Sequence, residues 1–598
     1  MKTKPIQDEV SLSVLWRGFG NYKKSLFKND LLAALGVALL SVPLSMAYAL
    51  VAGLPASVGI LASIFGTMLA AAFGSSRHLI VGPSNTIAIL LQAGLAEILY
   101  ANYREVSPAE KTQIALMLLL QITFLAGLLQ FLAGVFKLGR LTHFISRSVV
   151  TGYVIGAALA IIFGQLYNFF GMSGPSRPVS AYQKVTYFFA HLQHIHWPTA
   201  ALAFFGFCFF FIVERISKKI PAAVLMLIAV SLAAIFLQYF STETAEEINQ
   251  VLMIKDYGET GSLSIHFSWP QFDLQQINTI LPISFAIALL GILEATAIAR
   301  TFATSTGQIL SINQEIFALG AANLGSSLLG AMPSSGSFAR SALNYSGGAR
   351  TRLAAVLSSF LVAAIVIAFF PLVLQIPLGA LAALLFISAW RMVRWKEVYL
   401  CLKATAPDAF VLVATALSCI IFSVEVAFYI GIVLSILFYL RKAATPRFIE
   451  CRVSEEGELK AMTPQELIEK RPIRVLQVDG ELFFAAADLL HAAVKTLAQA
   501  PEVRVIILKM TNAFHLDATA CAVLQALHTY IQARGSQLIL TGLTRPIWQV
   551  LSDSGFVKEI GVENLFLVNA SQPSACILSA YYRAENLLPM PPLEHPVN

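Results

Sequence analysis

The sequence predicts a polytopic α-helical membrane protein of fourteen apolar segments, arranged as two inverted halves of seven and followed by a small α/β domain. Three observations predict it. Only 13% of the 598 residues are charged, about half the share in a soluble domain, and apolar runs recur from Leu31 to Leu440. A Gly-Ser-Ser motif followed by Pro-Ser occurs twice, seven segments apart. After Leu440 the composition turns charged, and strand-like stretches alternate with helical ones.

The lead-in 1–30 is polar and mixed in charge, so no cleavable signal peptide is expected and the first apolar segment does the targeting. The segments run at about 31–50, 57–73, 84–99, 113–136, 148–170, 197–214 and 220–240, then 281–299, 313–330, 338–346, 353–370, 377–390, 408–423 and 425–440. With the amino terminus inside, the inner loops carry Arg77, Lys137, Arg140, Arg147, Arg215, Lys218, Lys219, Arg350, Arg352, Arg391, Arg394, Lys396, Arg441 and Lys442. The outer loop 241–280 holds Glu243, Glu246, Glu247, Asp256, Glu259 and Asp273 against Lys255. Positive charge inside places both termini in the cytoplasm of a plasma membrane, the inner membrane if the source is bacterial. The net charge of +7 therefore reports topology rather than nucleic-acid binding.

The first half breaks at Gly74-Ser-Ser…Pro83-Ser84-Asn85-Thr86, the second at Gly325-Ser-Ser…Pro333-Ser334-Ser-Gly336-Ser337-Phe338-Ala339-Arg340. The Pro-Ser follows the Gly by nine residues in one and eight in the other, and a short helix restarts after each. Matched interruptions in two halves point to a midplane site. A helix that starts at membrane depth offers free N–H groups to an anion. The eighth segment adds a carboxylate, Glu294, inside an otherwise apolar run. An intramembrane acid costs at least about 2.5 kcal/mol, which marks it for a function. An acid that can take a proton, beside an anion-ready helix start, is what a coupled anion carrier needs. The structural alternative pairs Glu294 with Arg340 across the bundle or lets Arg340 reach the interface.

Residues 441–471 read as a charged linker with a short helix at Thr463–Lys470, 472–580 as the α/β domain and 581–598 as a tail. Strands are expected at Ile473–Val478, Val503–Met510 and Gln537–Gly542, with helices at Asp488–Leu497, Thr519–Ala533 and Arg545–Ser554. The six cysteines form no C-x-x-C pair and read as buried small residues. His191, His194 and His196 lack a partnering acid or thiol pattern, so no metal and no cofactor is expected. No P-loop, nucleophile elbow or zinc-protease motif occurs, and an enzyme is not expected.

Leu293-Glu-Ala-Thr-Ala-Ile-Ala-Arg-Thr-Phe-Ala, Gly336-Ser-Phe-Ala-Arg-Ser-Ala-Leu-Asn and Val81-Gly-Pro-Ser-Asn-Thr resemble signature segments of the sulfate permease (SulP) family. Leu508–Leu524 resembles the strand, loop and helix of the STAS domain that follows the transporter in that family. The resemblance implies a core domain of helices 1–4 and 8–11 moving against a gate domain in an elevator-like cycle, within a homodimer. It places the anion between Ser84-Asn85-Thr86 and Ser337-Phe338-Ala339-Arg340, with the first and eighth helices closing the site; on these, Tyr48 is expected to line the pocket and Glu294 to be the coupling site. Two positions depart from the family pattern: Leu44 follows Pro43 where many members have Gln, and Ala339 precedes Arg340 where many have Ser. Asp517 and Thr519 sit where related STAS domains carry a phosphorylatable hydroxyl, against the structural reading of a helix cap. The leading expectation is a proton-coupled symporter of sulfate or another small oxyanion. Bicarbonate or dicarboxylate transport with sodium or by exchange, a passive anion channel, and a scaffold recruiting a cytoplasmic partner through STAS are the alternatives.

Overall fold

The computed structural model describes residues 10, 22–140, 146–172, 181–216, 221–240, 251–254, 267–272, 274–422, 424–454, 458–463, 465–466, 469–568 and 575–588. Most of the lead-in 1–30, Lys218 and Lys219, the acidic residues of 241–280 and the end of the tail lie outside them, as do three of the eight residues of the expected helix Thr463–Lys470, whose described residues form no α-helix. Two compact units divide the chain, Met1–Ser435 and Ile436–Asn598.

The first unit opens with α1 (Phe27–Val51) and α2 (Ala56–Phe73), the latter carrying a π turn at Ala62–Gly66. A two-residue strand β1 (Val81–Gly82) precedes α3 (Asn85–Asn102). Then come α4 (Pro108–Val135), α5 (Arg147–Phe170), α6 (Ala181–Ala190), α7 (Trp197–Ile216) and α8 (Ala222–Phe240). The second half holds α9 (Leu274–Thr306), α10 (Ile312–Ser327), β2 (Ser335–Gly336), α11 (Phe338–Ser346), α12 (Leu353–Val373) and α13 (Leu378–Met392). It ends with α14 (Trp395–Ala404), α15 (Ala406–Ile421) and α16 (Val424–Ala443). Every expected segment falls on helical structure. Among the described residues, eight helices are long and apolar enough to cross a membrane. Helices α6 and α14 lie outside the expected segments, because each mixes polar with apolar residues and has no continuous apolar run. Helix α9 overruns the expected 281–299 at both ends, since polar residues extend the helix beyond its apolar stretch.

Buried polar side chains brace this unit where the chain is broken. Asn323 of α10 donates to Gln130 Oε1 at 2.7 Å and to the Ser334 carbonyl at 3.0 Å, and accepts from Ser334 N at 2.8 Å. Gln130 of α4 in turn donates to the Ala288 carbonyl of α9 at 3.2 Å. Satisfied networks of this kind fix one arrangement, because any slip leaves a buried polar group unpaired. Here they hold the residue directly before β2.

The second unit is a six-stranded sheet in the order β4-β3-β5-β6-β7-β8. Its strands are β3 (Arg447–Val453), β4 (Leu459–Ala461), β5 (Ile473–Glu481), β6 (Val505–Phe514), β7 (Gln537–Leu543) and β8 (Leu565–Leu567). Strands β5 to β8 run parallel, and β3 pairs antiparallel with β4 and β5. Parallel neighbours need crossovers, supplied by α17 (Phe484–Ala498), α18 (Ala518–Ala533) and the pair α19 (Arg545–Asp553) and α20 (Phe556–Ile560). Leu490, Leu508, Leu524, Leu540, Leu551 and Phe556 are buried between these helices and one sheet face. Helix α21 (Ala575–Asn586) covers the other face with Ile577, Ala580 and Ala584 against Val475, Ile507 and Ile539.

Both edges of this unit differ from the sequence expectation. The stretch 441–471, expected as a linker, contributes β3 and β4. Its charges are partly paired rather than solvated: Glu450 of β3 meets Arg474 of β5 at 2.5 Å, both side chains nearly buried. At the other edge, the expected tail begins inside α21, and Leu587 and Leu588 pack on the same cluster.

Buried His528 of α18 packs edge-on to Phe556 at 6.0 Å. Burial pushes its imidazole below the ordinary range, outweighing the opposing pull of Glu559. The unfolded chain takes up a proton near pH ~6.5 that the folded domain resists. Stability is therefore full above that pH and falls as the pH drops below it. Unfolding of this unit within the full chain, followed by urea titration, should show a lower midpoint at acid pH. His528→Leu should flatten that fall, and an unchanged pH slope in the variant would remove His528 as its source.

Candidate anion and coupling site

The two interrupted loops meet. β1 and β2 pair antiparallel, Val81 opposite Gly336 and Gly82 opposite Ser335. That is the pairing two halves of opposite orientation require. Ser337 N donates to the Ile80 carbonyl at 2.9 Å, which extends the contact. Helices α3 and α11 then start from either side of it.

Ser84 is the N-cap of α3, its Oγ accepting from Ile87 N at 3.4 Å. The first intrahelical bond is Ala88 N to the Ser84 carbonyl at 3.0 Å, so the Asn85 and Thr86 N–H groups precede the ladder. In α11 the first is Ser341 N to the Ser337 carbonyl at 2.9 Å, which leaves the N–H groups of Phe338, Ala339 and Arg340 ahead of it. Ser337 caps α11 by backbone conformation, without a side-chain hydrogen bond. Both helix starts thus carry the partial positive charge and free donors that suit an anion.

Glu294 reaches this crossing from α9. Its Oε2 accepts from Ser335 Oγ at 2.5 Å and from Ser84 Oγ at 3.3 Å, and its Oε1 accepts from Thr86 Oγ1. Ser335 Oγ also lies 2.8 Å from Ser84 Oγ, so three hydroxyls and one carboxylate form a single cluster. Neither structural alternative for these charges appears: the described residues contain no Glu294–Arg340 ion pair, and Arg340 is fully buried rather than at the interface. The Arg340 guanidinium instead reaches across to the Pro83 carbonyl and lies 3.5 Å from Ser63 Oγ of α2. It ties the start of α11 to the residue before the cap of α3. Its charge stays beneath the crossing, where it adds to the positive potential.

Other expected residues lie around this centre in different ways. Buried Tyr48 of α1 sets its hydroxyl 3.2 Å from Ser388 Oγ of α13, and Asn85 Nδ2 donates to the same oxygen at 3.1 Å. Phe338 and Ala339 are exposed. The Phe338 ring lies 5.9 Å from that of Phe302 and 6.0 Å from the Arg394 guanidinium, so its backbone rather than its side chain belongs to the crossing. In the second unit Asp517 accepts from Ala520 N at 2.9 Å and from Phe484 N at 2.7 Å. One carboxylate thereby caps α18 and holds the start of α17, while Thr519 is exposed on the first turn of α18. Among the described residues no group of His, Cys, Asp and Glu could hold a metal.

Sequence reasoning missed Ser335, Ser63 and Ser388. Ser335 sits inside the quoted Pro-Ser-Ser-Gly break, which was the available signal. Ser63 and Ser388 lie in apolar helices, and a single serine there carries none.

Two glycines set the closeness of the crossing. A Cβ on Gly82 would stand 2.6 Å from Arg340 Nη1, and one on Gly336 2.7 Å from the Ala295 backbone, next to Glu294. The guanidinium can shift, but the backbone of α9 cannot. Gly336→Ala should therefore push β2 off α9 and cut anion uptake into proteoliposomes at least ten-fold with the protein still monodisperse. Gly36→Ala, whose Cβ would meet Leu343 at an ordinary 3.7 Å, should leave uptake unchanged. Equal uptake in both variants would mean that the β2–α9 contact does not set the site.

The family model described as "Sulfate permease family" matches residues 27–415, and the STAS domain model matches 465–570. A putative sulfate transporter of Bacillus subtilis is 25% identical over 92% of this chain and 97% of its own length. Chloroplastic sulfate transporter 4.1 of Arabidopsis thaliana is 26% identical over 94% of this chain and 81% of its own. The solved structure of the murine Solute Carrier 26 family member A9 anion transporter, in an inward-facing state, superposes with a TM-score of 0.85. That match covers 96% of this chain and 94% of the other at 19% identity, a likeness of fold. With a broken-helix crossing in a multi-pass membrane unit and a STAS domain later in the sequence, the chain belongs to the sulfate permease family and is an anion transporter, not an enzyme.

Proposed function

We propose that this chain carries sulfate or a related small oxyanion in symport with protons, by an elevator-like movement of the half-helices and their neighbours. The observation that carries the reading is the sharing of hydroxyls. Ser84, Thr86 and Ser335 cap or flank the two helix starts, and all three donate to Glu294. An ionised Glu294 holds these donors and repels an anion placed beside them. At roughly 6 Å and an effective dielectric of ~20, that repulsion is about 3 kcal/mol per unit of anion charge.

A proton on Glu294 changes both terms together. The charge disappears, and the three hydroxyls become free to donate to the anion alongside the N–H groups of α3 and α11. Proton and anion then favour each other's binding, and such coupling is reciprocal. Release of the proton on the far side restores the repulsion and expels the anion. The excess of basic residues in the predicted inner loops supports cytoplasmic termini, and the family architecture supports a homodimer with STAS open to a cytoplasmic partner.

The same oxygen set favours one second reading. A carboxylate with three hydroxyl oxygens suits a sodium ion as well as a proton, and would serve a bicarbonate or dicarboxylate carrier. Ile298, one turn after Glu294, adds no ligand, but the hydroxyls from the crossing do.

Uptake of labelled sulfate into proteoliposomes, with and without an inward proton gradient, tests the proposal. Wild type should accumulate sulfate several-fold more with the gradient, and Glu294→Gln should lose that dependence while still exchanging sulfate. Accumulation that follows a sodium gradient instead would support the second reading. Sulfate flux indifferent to both gradients, in wild type and variant alike, would indicate passive conduction.

A further inference from the structure

Helix α13 offers the core one continuous stripe. Leu378, Leu381 and Leu385 line a small cavity together with Ala47 and Leu50 of α1 and Gln165 and Asn168 of α5. Spaced by three and four residues, these leucines share one helix face. The next position on that face is Ser388, and Met392 follows one turn later. Ser388 is the polar rung of an otherwise apolar stripe. Its Oγ sits 3.2 Å from the Tyr48 hydroxyl and 3.1 Å from Asn85 Nδ2, while Met392 Sδ is 4.0 Å from the same nitrogen. One serine on α13 thus joins α1 to the first turn of α3, one of the two helices that start at the crossing.

We infer that Ser388 is a positioning residue of the transport cycle, a latch that holds Tyr48 and Asn85 against α13 and must release before the half-helices can move past it. The inference rests on the elevator-like reading. Leucine contacts are non-directional and remake themselves after a shift. Hydrogen bonds do not. A displacement of one helical turn, about 5.4 Å, sets Leu385 or Met392 opposite Tyr48 and Asn85 and leaves a phenol and an amide without their partner. The stripe therefore allows sliding, and its one serine defines a resting position.

Spin labels carried on unnatural side chains at Ile309 and Lys403 leave the six native cysteines in place. Both positions are exposed, one between α9 and α10 and one on α14. Double electron–electron resonance on the full chain in nanodiscs then reads the ratio of this conformation to the others. Two neutral hydrogen bonds correspond to a ratio of about ten-fold. Ser388→Ala and Tyr48→Phe should each lower it, by up to ten-fold. The double variant should fall no further than Ser388→Ala, because the same contact is lost, and Ser388→Thr should keep the wild-type ratio. An unchanged distance distribution in Ser388→Ala overturns the latch, and so do single effects that multiply in the double variant. The distances need no anion, so a failure of sulfate uptake counts against the proposed substrate and not against the latch.

Discussion

Hydrocarbon offers no water to the N–H groups of a helix that begins halfway across a membrane, so such a start survives only where protein encloses it. Two starts facing each other share that enclosure. The pairing of Val81–Gly82 with Ser335–Gly336 satisfies the backbone on either side of the crossing. Arg340 closes one flank through the Pro83 carbonyl, and Asn323 with Gln130 fixes the residue before β2. What remains unpaired by helix geometry is the set of N–H groups at the first turns of α3 and α11. The crossing turns both sets of donors toward one point.

Glu294 makes sense against that background. A cluster of aligned donors in a low-dielectric interior attracts negative charge strongly, and a carboxylate is the simplest internal anion to answer it. Placed on α9 beside Gly336, it accepts from Ser84, Thr86 and Ser335, the donors that the proposed cycle hands to the anion. In that proposal, competition for shared donors couples proton and anion without any long-range relay. Glu294 stands one hydrogen bond from Ser84, Thr86 and Ser335, so a change in its protonation is felt at once at the helix starts.

Much of this was legible in the residues. Gly and Pro interrupting apolar runs marked β1 and β2, because few other residues end a membrane helix so sharply, and Glu294 stood out as a charge without an aqueous neighbour. The crossing partner of Arg340 was not legible. A buried arginine can answer a carboxylate, a carbonyl or the interface, and sequence does not rank them; here a carbonyl and a serine hydroxyl lie beside its guanidinium. Strands β3 and β4 were hidden for a related reason. Arg447, Glu450 and Arg452 look solvated one by one, and only the pairing of Glu450 with Arg474 across two strands shows that part of this charge belongs to the sheet.

In the proposed cycle, anion choice falls to the crossing and movement to the contact of α1 and α3 with α13. Backbone dipoles bind anions by charge and size, so identity must be refined by side chains around them. In the proposed site these groups are small: Ser84, Thr86 and Ser335 at the crossing, with Ala339 exposed. The proposed movement runs along α13, where leucines present a face without directional contacts. A directional contact at Ser388 meets that face at the level of Tyr48 and Asn85. Asn85 belongs to both, with its N–H at the crossing and its side-chain amide on Ser388, so the proposed binding and sliding surfaces meet at the first turn of α3.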